Sequence, residues 1–273
     1  MLLGVLNPLL RPHLEVLGGH FGGDAESPLA VQRVDVAGAR TALLVSKQDG
    51  KDPILLLVDG DHLAWSKPFP TLGIAPPFDH LTLAPRPRGG VVLFGYGAAV
   101  HQVVARMWAD DGTQEPDLRV ASFNACDKLS AAHSRELGWV VACASRSGVR
   151  AQRLDEDRGP VWGERGVAVG EAGAVGRATI VFDTATTWVL VERAHRPDAD
   201  HVIAFRYDAK GQPLWPAAAD IGVPAGPPYR TAWVEPNLAY GGIVRLELPG
   251  GLIGRQGNAV EVGQDGEVRS IGP

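Results

Sequence analysis

The stretch YDAKGQPLW, residues 207–215, follows directly on the strand-like HVIAFR of 201–206. Asp ahead of Gly suits a tight turn, since the carboxylate caps its own backbone and glycine accepts a positive φ. On its own the stretch would mark one hairpin. The same arrangement recurs in ILLLVDGDHLAW (54–65), VVARMWADDG (103–112), VRAQRLDEDRGPVW (149–162) and NAVEVGQDGEV (258–268). The turn glycines Gly60, Gly112, Gly159, Gly211 and Gly266 are spaced by 52, 47, 52 and 55 residues. A regular period of this size is the mark of a repeat architecture.

A second series keeps step with the first. β-rich runs begin at TALLVS (41–46), VVLFGY (91–96), WVVACAS (139–145), WVLVER (188–193) and IVRLEL (243–248). Another strand candidate precedes each: LAVQRVDV (29–36), HLTLAP (80–85), KLSAAH (128–133), ATIVFD (178–183) and RTAWVEP (230–236). After the turns come fourth strands such as LRVASF (118–123) and RGVAVG (165–170). Four short strands per unit predict an all-β fold, a β-propeller of five four-stranded antiparallel blades, with six as the alternative. A two-layer sandwich would explain the strands but not the period. The units run 29–77, 78–126, 127–173, 174–226 and 227–273, forming a single propeller domain over 29–273. Residues 1–28 form an N-terminal extension that would complete the last blade.

The D-x-x-G-x-x-L-W pattern from Asp208 to Trp215 resembles the third-to-fourth-strand turn of bacterial Asp-box and quinoprotein-type β-propellers. Asp155, Gly159 and Trp162 make a looser copy. Arg206 stands where a full Asp-box has Ser or Thr, and the second and fifth units have no Trp after the turn. In those families the turn is structural, so the resemblance implies architecture and no catalytic residue.

Bulk properties exclude several classes. The 273 residues are 45% hydrophobic, with a mean hydropathy near zero, and read as a soluble globular protein. A formal charge of −5 and a pI near 5.9 give no basic footprint for nucleic acid. No apolar run approaches the roughly 18 residues of a membrane span. The start, MLLGVLNPLLRPH, lacks a basic n-region, and Pro8 interrupts its apolar stretch, so it makes a poor signal peptide. The protein is then either cytoplasmic or exported by a signal outside this chain.

Chemistry is sparsely marked. There is no nucleotide loop, H-E-x-x-H or G-x-S-x-G, and no cofactor is expected. GGHFGG (18–23) has no strand-to-helix context. HRPDADH (195–201) sets His195, Asp198, Asp200 and His201 within seven residues, a weak metal candidate better read as a solvated loop. Asp79, Asp127, Asp183 and Glu235 lie in or beside the first strands of units two to five and could ring a central channel, as the acid and base of a glycosidase would. An acid at a strand end is more often simply solvated. Trp65, Trp162 and Trp215 follow the turns and read as blade packing, as do Trp139 and Trp188. Trp233 stands apart, near Tyr229 and Tyr240.

Variable loops on a rigid scaffold are where binding usually resides. The strand-two-to-three loops and the crossovers place Tyr96, His101, His195, His201, Tyr229, Arg230 and Trp233 as candidate ligand contacts. The favoured reading is a non-catalytic binding or scaffold propeller, a lectin being one form of it, that takes a carbohydrate or a protein through one face. The alternative is a glycan-active hydrolase with carboxylates around the channel. The only two cysteines, Cys126 and Cys143, fall near each other if 128–145 forms a hairpin around Ser134–Leu137, with Cys143 facing Lys128. A disulfide there would favour an exported protein over a cytoplasmic one.

Overall fold

The computed structural model describes residues 29–38, 40–47, 53–68, 81–98, 100–155, 159–170, 175–183, 186–193, 201–221, 231–235, 242–247, 259–263 and 265–271. The N-terminal extension lies outside them. Every regular element among the described residues is a β-strand. The chain divides into two compact units, Met1–Arg119 and Val120–Pro273.

In the first unit, β1 (Leu29–Val36), β2 (Arg40–Lys47), β3 (Ile54–Asp59) and β4 (His62–Pro68) form an antiparallel meander, each strand pairing with the next. A second sheet takes the same order with β5 (Leu81–Pro85), β6 (Val91–Gly97), β7 (Gln102–Trp108) and β8 (Leu118–Ser122). The unit boundary falls within β8. The middle strands read as unbroken apolar runs because both of their faces are covered. Ala42, Leu44, Leu55 and Leu57 pack with Leu81, Leu83 and Leu93, while Leu43, Val45, Ile54, Leu56 and Val58 form a separate cluster. Side chains alternate between faces along a strand, so one run serves two cores. The amide of Gln32 on β1 donates to Leu81 O at 2.9 Å and accepts the Leu83 N–H at 3.2 Å, tying the first sheet to the second.

The second unit holds three more meanders. In the first, β9 (Lys128–Ser134), β10 (Gly138–Ser145) and β11 (Gly148–Asp155) pair in sequence. Its outer edge is split into β12 (Gly159–Pro160) and β13 (Val167–Val169), both paired to β11. Fully buried Gln152 fills the gap between them: its Oε1 accepts the Trp162 N–H at 2.9 Å, and its Nε2 donates to Gly163 O. Next come β14 (Val175–Phe182), β15 (Thr187–Arg193), β16 (His201–Tyr207) and the short β17 (Ala219–Asp220). The last sheet is β18 (Thr231–Glu235), β19 (Gly242–Glu247), β20 (Ala259–Val262) and β21 (Val268–Ile271). Strand β14 lies beside both β9 and β18. Trp162, Val189 and Tyr207 share one core with Val140 and Val149, and Trp188, Trp215 and Val262 share another.

The fold is thus all-β and of the β-propeller class, built on a repeated four-stranded antiparallel meander. All five turn glycines adopt positive φ, from 56° at Gly60 to 87° at Gly266. The turns at Gly112, Gly211 and Gly266 close in the same way. In each, the glycine N–H donates to the carbonyl three residues back, at 3.0, 3.0 and 3.1 Å. Asp208 Oδ1 accepts the N–H groups of Lys210 and Gln212, both at 2.8 Å, the self-capping read from the sequence.

One register differs from expectation. In the β9–β10 hairpin Ser134 pairs with Gly138, leaving Arg135–Leu137 as the turn, and Cys143 faces Leu129 rather than Lys128. Turn geometry sets the register, and a three-residue turn moves every partner by one.

Candidate functional site

The corner ahead of β9 holds an exposed carboxylate on a tightly fastened backbone. Cys126 is buried and joined to Cys143 of β10 by a disulfide, with the two Cα atoms 5.3 Å apart. Cys126 reaches Cys143 from beyond the end of β9, so the bond pins the incoming chain to β10. The next residue, Asp127, donates its N–H to Ala144 O at 2.9 Å. Its side chain is exposed, and Oδ2 accepts the N–H of Arg146 at 3.2 Å. Among the described residues Oδ1 has no hydrogen-bond partner. A disulfide, a backbone bond and a carboxylate bond therefore orient one oxygen toward solvent, the rigid support that a reactive group needs.

Asp183 is the opposite case. It sits between β14 and β15 and is buried. Its Oδ1 accepts the Thr186 N–H at 2.8 Å. Its Oδ2 accepts the Thr186 hydroxyl at 2.6 Å, the Trp188 Nε1–H at 3.0 Å and an Arg206 Nη2–H at 2.8 Å. Arg206 also lies over the Trp188 ring, 5.2 Å from its centroid. A buried carboxylate that meets this many donors is a structural anchor. Arg206 is the residue that replaces the Ser or Thr of an Asp-box, and the structure gives that replacement a partner.

Asp127 and Asp183 also lie at different ends of their sheets. Asp127 is beside the turn that joins β10 to β11, and Asp183 is in the turn that joins β14 to β15. Strands of seven and eight residues span about 23–26 Å at roughly 3.3 Å per residue. Four first-strand carboxylates therefore do not amount to one ring. Glu235 ends β18, though its side chain is not described, and Asp79 lies outside the described residues.

Of the loop residues singled out by sequence, Tyr96 and His101 are brought together. Tyr96 is buried on β6, and its hydroxyl lies 3.1 Å from Nδ1 of exposed His101 across the β6–β7 turn. His101 has φ 53°, the one positive φ outside glycine among the described residues. Trp233 faces Arg245, and His201 faces Arg193, within their ladders. His195, Asp198, Asp200, Tyr229 and Arg230 lie outside the described residues. Among the described residues no group of three His, Cys, Asp or Glu gathers as metal ligands, and no helix is long and apolar enough to cross a membrane.

Sequence reasoning missed Arg146 as the partner of Asp127. The signal available was SRSG (145–148), a compact polar turn between two apolar strands.

No protein-family model and no curated protein sequence matches this chain. Several solved structures resemble it. A DUF4623 family protein from Bacteroides eggerthii aligns over 76% of this chain and 52% of its own, at 13% identity and a TM-score of 0.41. An exo-β-1,3-galactanase from Phanerochaete chrysosporium aligns over 89% of this chain and 66% of its own, at 11% identity and a TM-score of 0.46. An α-L-arabinofuranosidase from Clostridium thermocellum aligns over 89% and 94%, at 10% identity and a TM-score of 0.44. The chain thus spans about half the length of the first protein and about two thirds of the second. The galactanase and the arabinofuranosidase are enzymes by name, which corrects the expectation of a non-catalytic binding module or lectin.

Proposed function

We propose that the chain is a glycan-active hydrolase, with Asp127 supplying one of its reacting carboxylates. The observation behind this reading is the Asp127 corner, where an exposed carboxylate is held by the Cys126–Cys143 disulfide, by Ala144 O and by the Arg146 N–H. Glycoside cleavage uses a carboxylate of this kind, either to attack the anomeric carbon or to take a proton from water. Oδ1 is the reacting atom, while the Arg146 N–H steadies Oδ2. The names of the similar enzymes agree with a carbohydrate substrate. Within this proposal residues 29–273 form a single propeller domain in five units, residues 1–28 complete the last blade, and the turns are of the Asp-box and quinoprotein kind. His101, oriented by Tyr96, is a further glycan contact. The disulfide favours an exported protein.

The test is turnover of a panel of aryl glycosides and plant and fungal polysaccharides by the wild type and by Asp127→Asn. The substitution keeps an acceptor for the Arg146 N–H and removes the reacting oxygen's charge. At least a hundredfold loss of turnover, with an unchanged melting temperature, supports the proposal. Equal turnover by the two proteins, or none by the wild type on the whole panel, overturns it.

A further inference from the structure

Asp127 does not stand alone on its surface. Lys128, the next residue, is exposed and pairs through its backbone with Ala144. Arg146, two residues beyond Ala144, is exposed at the tip of the β10–β11 turn, and its N–H is the group that holds Asp127. The turn is stiff. The Ser145 and Ser147 hydroxyls lie 2.8 Å apart, the Ser147 N–H donates to Ser145 Oγ at 3.2 Å, and Ser145 Oγ donates to Gly148 O at 3.2 Å.

Neither cation is ion-paired among the described residues. Arg135, Arg165 and Lys210 are exposed in the same way, whereas three other cations of the unit are engaged. Arg150 donates to Arg165 O and Gly166 O, Arg153 to Leu137 O and Ala209 O, and Arg206 to Asp183. In a chain with a net charge of −5, two exposed cations are carried by the segments that meet at this one carboxylate: Lys128 follows it in the chain, and Arg146 holds it through a backbone N–H.

We infer that the substrate drawn to Asp127 is an anionic glycan, one whose sugars carry carboxylates, recognised by Arg146 and Lys128. The inference rests on the hydrolase reading of Asp127 for its setting. A neutral sugar approaching Asp127 needs no cation beside it. An acidic sugar is repelled by the Asp127 carboxylate, and cations on the residue after it and on the residue that holds it oppose that repulsion. A guanidinium fork suits a carboxylate in particular, through two parallel N–H donations.

The probe is a defined oligogalacturonate, with a neutral β-1,4-galacto-oligosaccharide of equal length as comparator, each titrated calorimetrically into the folded protein. The acidic oligomer binds the wild type at least tenfold tighter than the neutral one and weakens steeply with added salt, since exposed pairs are screened within about 10 Å at 0.1 M. Arg146→Gln and Lys128→Gln each lower that affinity severalfold and leave the neutral oligomer's unchanged. Asp127→Asn raises it by removing the repulsion. Equal affinity for the two oligomers, absence of salt dependence, or indifference to both cation substitutions overturns the inference. The two proposals fail separately. Loss of turnover in Asp127→Asn on neutral glycans, with no preference for acidic ones, refutes the anionic substrate and keeps the hydrolase. Acidic binding that needs Arg146 and Lys128, without turnover of any glycan, does the reverse.

Discussion

Trp162 lies against Gly211 so closely that a Cβ added to the glycine would meet the indole at 2.8 Å. The same indole donates its Nε1–H to Ala209 O at 3.2 Å. In the first unit Trp65 repeats both contacts: a Cβ on Gly112 would come within 3.1 Å of its ring, and its Nε1–H donates to Asp110 O at 2.9 Å. Trp215 covers Gly266 likewise, at 3.1 Å. The tryptophan after one turn is the cover of the next turn's glycine. That is why the repeat carries a Trp and a Gly together.

Gly211→Ala therefore meets two penalties, a side chain at φ +81° and a clash with the Trp162 ring. Together these should cost about 3 kcal/mol, from roughly 1–2 for left-handed backbone and 1–3 for overpacking. Gly159→Ala has almost the same φ, +80°, with no described atom within 4 Å of the added Cβ. It should cost only about 1 kcal/mol. Urea melts of the two variants give the difference, and equal costs would remove the stacking from the account.

Asp183 and Arg206 should behave as a coupled pair. Asp183→Ala leaves a mostly buried guanidinium and the Trp188 Nε1–H without their shared acceptor, at about 3–5 kcal/mol. Adding Arg206→Ala should cost less than the sum of the two single changes, because the charge left stranded is gone. A double-mutant cycle by chemical denaturation reads this directly, and strict additivity would contradict it.

Burial pushes the Tyr207 phenol up from 10.0 to about 12, and its hydroxyl donates to Ala168 O at 3.2 Å. The folded state thus holds this proton more tightly than the unfolded state. Its contribution is complete below about pH 10 and is lost as pH rises toward 12 and beyond. The melting temperature should fall more steeply over that window in the wild type than in Tyr207→Phe.

The Cys126–Cys143 bridge spans 17 residues, and removing it should cost about 3 kcal/mol in the chain-entropy account. The double change to Ala also releases the backbone that carries Asp127. Turnover, where it exists, should drop even well below the melting temperature. Thiol titration of the unfolded protein should find two thiols after reduction and none before it.

The strands were legible in the sequence because their signals are local: apolar runs of five to eight residues, a Gly that must turn at positive φ, and a period that copies both. LAVQRVDV became β1 residue for residue, and the five turn glycines were marked by Asp/Gly turns at the ends of apolar runs and by the regular spacing of those turns. The role of Trp65, Trp162 and Trp215 as packing residues was legible too, since each follows a turn at nearly the same offset. What they pack on was not, because the contact joins one unit to the turn of the next.

The site was the part that tertiary structure decided. Asp127 and Asp183 look alike in sequence, each an acid at the edge of a first strand. Folding gives Asp183 donors from Trp188 and Arg206, the latter 23 residues on, and leaves Asp127 exposed with one oxygen held by Arg146, 19 residues on. A residue's chemistry depends on which donors its neighbours bring within about 3 Å. Trp188, Arg206 and Arg146 come from later strands and turns, so no local pattern records them; only Thr186, three residues after Asp183, is a local signal.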